Sequence, residues 1–170
     1  MLFLKRFDQM GVDEMTCCAC GFAISGYGSQ YLFTLMEQGV MNNLDKFQDA
    51  ENVKEVCKAF VFSMRGSRTL HQAMLPRILT YLHTFSCKEM CYLIHAYHKQ
   101  GLLSKTLASS VEEGVLKTLR LTKDISIEEI ALITKVFCTT RSGTREFHKL
   151  LEMTVLQRLE DLKKNMEILY

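Results

Sequence analysis

The sequence predicts an all-α fold, a right-handed α-solenoid of four two-helix repeats of 37–40 residues. Three observations lead there. The 170 residues contain a single proline, and Leu, Met, Lys and Glu are abundant, which suits helices. One apolar pattern recurs along the chain at offsets of 38, 37 and 40 residues. Two helix-capping positions stand 18 residues apart in every copy, although the caps are polar and play no part in defining the apolar pattern.

The recurrence shows in YGSQYLFTLME (27–37) and RGSRTLHQAML (65–75), where Gly-Ser, the following Leu and the later Met keep their places. In the first half of each copy an aromatic stands at Phe22, Phe60, Tyr97 and Phe137. One turn earlier come Cys18, Val56, Leu93 and Ile133, and before them Met15, Val53, Met90 and Ile130. A small residue precedes the first three aromatics (Gly21, Ala59, Ala96), with Val136 in the fourth copy. The second half carries Leu32, Leu70, Leu107 and Phe147, then Met36, Met74, Val111 and Leu151. Val40, Ile78, Val115 and Val155 follow, and Leu44, Leu82, Leu119 and Leu159 complete the stripe. Steps of three and four put each series on one helix face. A hairpin with two such faces buries them by stacking on its neighbours.

The caps set the boundaries. First helices begin after Gly11, Asp49, Ser86 and Ser126; second helices begin after Ser29, Ser67, Ser104 and Thr144. Ser86-x-x-Glu89 and Ser126-x-x-Glu129 read as capping boxes. Helices are therefore expected over 12–26, 30–45, 50–64, 68–83, 87–101, 105–120, 127–140 and 145–166. They group into repeats 11–48, 49–85, 86–125 and 126–166 of a single domain. Pro76 falls inside an expected helix and should kink or split it. Residues 1–10, with Leu2, Phe3, Leu4 and Phe7, are expected to form a short helix capping the open end of the stack.

Composition narrows the function. Nearly half the residues are hydrophobic and a quarter charged, the profile of an ordered globular chain. A net charge of +2 confines any nucleic-acid surface to a local patch. Seven cysteines without a secretory leader suit a reducing compartment and free thiols. The opening MLFLKRF is followed by Asp8, Asp13 and Glu14 and makes a poor transit peptide. The stretch from Met15 to Met36 carries no charge, but Gly21, Ser25, Gly26, Gly28, Ser29 and Gln30 mark a turn that argues against a membrane span.

Two-helix units of this length and hairpin spacing, as in VKEVCKAFVFSMRGSRTLHQAMLPRILTYL (53–82), resemble the octotricopeptide and heptatricopeptide families and the related repeats of FAST-kinase-type proteins. The resemblance covers residues 11–160. It implies a mitochondrial helical-repeat protein that binds RNA or serves as a subunit of the mitochondrial ribosome or another large assembly. This chain departs from many members in having four units and no recognisable appended RNA-binding or nuclease-like domain. At about one nucleotide per unit, so short an array argues against reading a sequence alone.

Three groups of residues are candidates for contact. The position after each hairpin-turn cap holds Gln30, Arg68, Lys105 and Arg145. A cation at a helix start opposes the macrodipole, so this row, thickened by Arg65 and Arg141, reads either as anion sites for a phosphate backbone or as ordinary charged turns. A second column on the first helices holds Cys20, Lys58, His95 and Lys135, with Lys54 one turn before Lys58. The resemblance places it in a concave groove facing bases; otherwise it is a solvated face. In the first hairpin, Thr16, Cys17, Cys20, Tyr27, Tyr31 and Phe33 stand where the other units carry charge, which is the composition of a protein interface.

Chemistry has less support. Cys17-x-x-Cys20 and the trio Cys91, His95 and His98 lack the four converging ligands of structural zinc, so no metal or cofactor is expected. Glu112-Glu113 and Glu128-Glu129 read as solvated helix faces, and there is no phosphate-loop or nucleophile-elbow motif, so no enzyme is expected. The reading is a non-catalytic scaffold subunit of a large mitochondrial assembly, in the matrix or on the matrix side of the inner membrane. A ribonucleoprotein, the mitochondrial ribosome above all, is favoured, with protein subunits and rRNA as partners and no small-molecule substrate. The alternative is an accessory structural subunit of a respiratory-chain complex or ATP synthase, touching membrane only through that complex.

Overall fold

The computed structural model describes residues 10–121 and 125–167. The cap expected over residues 1–10 lies, Met10 apart, outside them. The described residues form helices joined by short connections, with no strand among them. Helix α1 spans Val12–Ser25, α2 Gln30–Asn42 and α3 Ala50–Val56, which continues as a π-helical stretch Cys57–Phe62. Helix α4 spans Arg68–Tyr81, α5 Cys87–Lys99, α6 Lys105–Leu121, α7 Ile127–Thr140 and α8 Arg145–Glu167. Single 3-10 turns follow α2 at Leu44–Lys46 and α4 at Leu82–Thr84.

The caps expected from the sequence make their bonds. The hydroxyls of Ser29, Ser67, Ser104 and Thr144 accept from the amides of Leu32, Leu70, Leu107 and Phe147 at 3.1–3.2 Å. Asp49 caps α3 through the Asn52 amide at 2.8 Å. Ser86 and Glu89 exchange bonds as a capping box, and Ser126 accepts from the Glu129 amide. At Gly11, which has no side chain to offer, the Glu14 carboxylate accepts from the Gly11 amide at 2.8 Å. Pro76 does not split its helix: α4 runs through it. Pro76 and Gln72 are both exposed, so the carbonyl that loses its helical donor is on the wet side.

The chain divides into two compact units, Met1–Phe85 with Ala96–Leu102, and Ser86–His95 with Leu103–Tyr170. In the first, α1 packs on α2 and on α3 with its π-helical continuation, α3 packs on α4, and α2 packs on α4. Phe33, Met36, Val40, Val53, Val56, Phe60, Leu70, Met74, Ile78 and Tyr97 form its core. Each fully buried side chain of this size contributes roughly 1.5–3 kcal/mol. In the second unit α7 packs on α8, and α6 packs on α8. Its core includes Met90, Leu93, Leu107, Val111, Val115, Ile133, Phe137, Phe147 and Leu151.

Two stretches depart from the expected stripes. Helix α1 buries Met15, as expected, but with Thr16, Ala19 and Cys20 in place of Cys18 and Phe22; Cys18 is exposed and Phe22 is 40% exposed. The physical reason lies in the neighbours. The matching Phe60 is covered by the Phe33 ring of the preceding hairpin, 6.1 Å away in an edge-to-face contact, whereas α1 is turned toward α3. Past Leu151 the stripe of α8 also comes into the open, and Leu159 is 57% exposed.

Candidate interaction surface

The row of cations separates once its side chains are placed. Arg68, exposed at the start of α4, donates from Nη1 to the Gln100 carbonyl at 3.0 Å. That carbonyl follows the last residue of α5, so the guanidinium offsets the negative end of a helix dipole. Gly101, next in line, holds φ 65°, the left-handed conformation that ends helices. Arg65 lies over the Phe33 ring at 5.1 Å. These two cations therefore have internal work within their own unit. Lys105, Arg141 and Arg145, in the other unit, are exposed. Arg141 occupies a helix C-cap at φ 51°, a left-handed position that costs a non-glycine residue about 1 kcal/mol.

The second column separates in the same way. Lys58 pairs with Glu55 at 2.6 Å, and Glu55 also accepts from the Cys20 thiol. Burial first and the Glu55 hydrogen bond second push the Cys20 thiol up to about 11. The hydrogen bond to Glu55 raises Lys58. For Glu55 burial works against the charge, but its bonds from Lys58 and Cys20 outweigh it and hold the carboxyl below its usual range. Lys54 lies 5.7 Å from the Phe85 ring, His95 is partly buried, and Lys135 is exposed.

The expected protein-facing set is corrected for half its members. Thr16, Cys20 and Phe33 are buried inside their own unit, because α1 packs on α3 and its continuation, where Cys20 meets Glu55, and the Phe33 ring packs on Phe60. Cys17, Tyr27 and Tyr31 are exposed, Tyr27 to 75%, and Phe22 and Ile24 join them at the surface. Among these five there is no charge, so the first hairpin presents an uncharged, partly aromatic patch, made by a different group of residues from the one expected.

A pair of carboxylates, Glu37 and Glu112, forms polar joints between hairpins. The Ser67 amide donates to Glu37 Oε2 at 2.9 Å, and the Ser67 hydroxyl donates to Glu37 Oε1. The Thr144 amide donates to both oxygens of Glu112 at 3.1 and 3.2 Å, and the Thr144 hydroxyl adds a third bond. Glu112 is thus not a solvated face residue as expected; it keeps 8% of its exposure. Each carboxylate neutralises the N-terminus of the second helix in the next hairpin. Both stand eight residues after their own cap, Ser29 and Ser104. The signal that could have found them is a longer period: at an offset of 75, Met15, Gly26, Ser29, Glu37, Gly39 and Val40 match Met90, Gly101, Ser104, Glu112, Gly114 and Val115. Gly39 and Gly114 each leave room for the facing methionine, Met15 or Met90.

Three buried side chains, His71, Tyr97 and Cys91, have shifted titration. His71 donates from Nδ1 to the Ser67 carbonyl, 2.7 Å away, and its Nε2 has no hydrogen-bond partner. Burial lowers its pKa, against the opposing pull of Ser67 and Glu37, and so favours the neutral ring. Tyr97 donates to the His71 carbonyl at 2.6 Å; burial pushes its phenol up. The Cys91 thiol is raised by its hydrogen bond to Cys87 and by burial. Among the described residues no group of three or more His, Cys, Asp or Glu is arranged to hold a metal, and no helix is long and apolar enough to cross a membrane.

No protein-family model matches the chain, and no curated protein matches it significantly.

Proposed function

We propose that the protein is a non-catalytic scaffold subunit of a larger assembly, a right-handed α-solenoid of four helical hairpins whose outer surfaces bind neighbours. The observation that carries this reading is the uncharged patch of Phe22, Ile24, Tyr27 and Tyr31 on a hairpin whose other side is committed to its own core. Aromatic surface without charge is favourable against a protein and unfavourable in water. The hairpin-to-hairpin joints at Glu37 and Glu112 support the repeat reading, since the same parts recur in the same register.

The setting we favour is a mitochondrial ribonucleoprotein, the mitochondrial ribosome above all, as the resemblance to octotricopeptide-type repeats implies. RNA contact then rests on the exposed cations Lys105, Lys135, Arg141 and Arg145, because Arg65, Arg68 and Lys58 are engaged within the protein. Such contacts hold a phosphate backbone without choosing its sequence. The test is the behaviour of the tagged protein in mitochondrial extract. Co-sedimentation with rRNA that survives detergent and is lost at high salt is the expected result. Co-migration with a membrane complex after nuclease treatment replaces this setting with an accessory subunit of a respiratory-chain complex or ATP synthase.

A further inference from the structure

We infer that the last hairpin carries an unfilled stacking face, and that its occupant is the first hairpin of a second copy of this chain, joined head to tail. The face is built in the register of the internal joints. Eight residues after the Thr144 cap stands Glu152, in the place that Glu37 holds after Ser29 and Glu112 holds after Ser104. Glu37 and Glu112 each receive the amide and hydroxyl of a following cap; Glu152 is exposed. Further along the same face, Leu156 and Leu159 are 54% and 57% exposed, while their counterparts Leu116 and Leu119 are partly covered. One carboxylate and two leucines four and seven residues on share one helix face, so α8 repeats the polar part of a joint and continues it with uncovered apolar side chains.

The first hairpin supplies the complement. Its cap Ser29 is exposed and holds the register of Ser67 and Thr144, the two caps already seated on carboxylates. Phe22 and Cys18 are at the surface there, whereas the equivalent Phe60, Phe137, Val56 and Ile133 are buried. A second polar pair matches as well. Arg68, first residue of α4, donates to the carbonyl of Gln100, just before the left-handed Gly101. Arg145, first residue of α8, is exposed, and Ser25 stands just before the left-handed Gly26, which has φ 72°. The contact therefore places Glu152 on the Ser29 amide and hydroxyl, Arg145 on the Ser25 carbonyl, and His148, which holds the register of Phe33 and His71, against Phe22, with Leu156 and Leu159 beyond Glu152 on the same face. It takes Arg145 out of the set available to RNA.

Such a contact uses different patches on the two copies, so it can propagate. The inference rests on the repeat reading of the hairpins and is independent of mitochondrial location or RNA, because the test uses the purified 170-residue chain alone. Sedimentation velocity should show concentration-dependent oligomers up to about 100 µM, where a contact of micromolar Kd is saturated. Glu152→Lys and Leu156→Glu, each at an exposed position, should raise the apparent Kd about tenfold or more with the circular dichroism spectrum unchanged. Phe22→Glu should do the same from the other end. The decisive measurement mixes Glu152→Lys with Phe22→Glu chains: each is blocked at one end, so together they should form a 1:1 dimer that grows no further. A monomeric wild-type chain, oligomers unaffected by Glu152→Lys, or a mixture that stays monomeric would each overturn the proposal.

Discussion

The joint between α2 and α4 and the joint between α6 and α8 are made of the same parts, yet differ in depth. In both, a glutamate eight residues into a second helix holds the hydroxyl-bearing cap of the following hairpin. Glu37 keeps part of its contact with water, and its bonds to Ser67 are exposed; Glu112 is buried with its bonds to Thr144 partly so. Water competes for the first carboxylate and is largely absent from the second, so the same donor pair, an amide and a hydroxyl, makes bonds of different worth. The lesson is that a joint read from register alone gives the partners, and burial gives the energy.

The largest effect tests the apolar part of each region. Phe33→Ala, which removes the ring packed on Phe60, and Phe147→Ala, which removes the ring 4.3 Å from Phe137, should each cost about 3–5 kcal/mol in urea denaturation. Phe22→Ala, at a position already open to solvent, should cost less than about 1 kcal/mol in the free protein. A large loss at Phe22 would mean that the first hairpin has its core elsewhere.

The next effect decides the comparison itself. Glu112→Ala removes a buried charged acceptor from the Thr144 amide and hydroxyl, and should cost about 2–3 kcal/mol. Glu37→Ala, where water replaces the carboxylate, should cost about 1 kcal/mol. Equal losses, measured on the same denaturation curves, would sink the claim that depth separates the two joints.

A smaller effect belongs to the first unit alone. His71 has a folded pKa below its ordinary value of 6.5, chiefly through burial. The unfolded chain therefore binds its proton first as pH falls. The stability this histidine permits is complete above 6.5 and declines as pH drops below that value toward the folded pKa, by up to about 1.4 kcal/mol per pH unit. His71→Leu should flatten that part of the pH profile, followed by thermal denaturation between neutral and mildly acid buffers. An unchanged slope would assign the acid sensitivity to other groups.

The smallest effect sharpens the contrast at the hairpin turns. Gly26 and Gly101 take the left-handed position at no steric cost, while Arg141 takes it at φ 51°. Arg141→Gly should stabilise the protein by about 1 kcal/mol or less. If Arg141 contacts RNA, the same change should lower RNA affinity and make its salt dependence shallower, a readout that the gain in stability does not produce.

Much of this was legible from residues alone. The caps at Ser29, Ser67, Ser104 and Thr144 located second helices that begin at Gln30, Arg68, Lys105 and Arg145. Less legible was which side of α1 faces inward. Cys18 and Phe22 lie on a plausible apolar stripe, and so do Met15, Ala19 and Cys20; only the position of α3 selects the second group. Arg68 and Arg65 looked like an anion site because their partners, the Gln100 carbonyl and the Phe33 ring, are 32 residues away in sequence. Glu112 looked solvated for the same reason, its partner Thr144 lying 32 residues on.

By itself, the order of amino acids determined that the chain is helical and where its helices begin and end. Those features depend on bonds that span three or four residues: a hydroxyl to an amide one turn ahead, a left-handed residue at the end, side chains spaced to share a face. Only the tertiary structure decided which charges are satisfied and which apolar side chains stay in water. Those outcomes depend on groups far apart in sequence whose desolvation is shared, and a carboxylate or a phenylalanine carries no mark of its eventual neighbour.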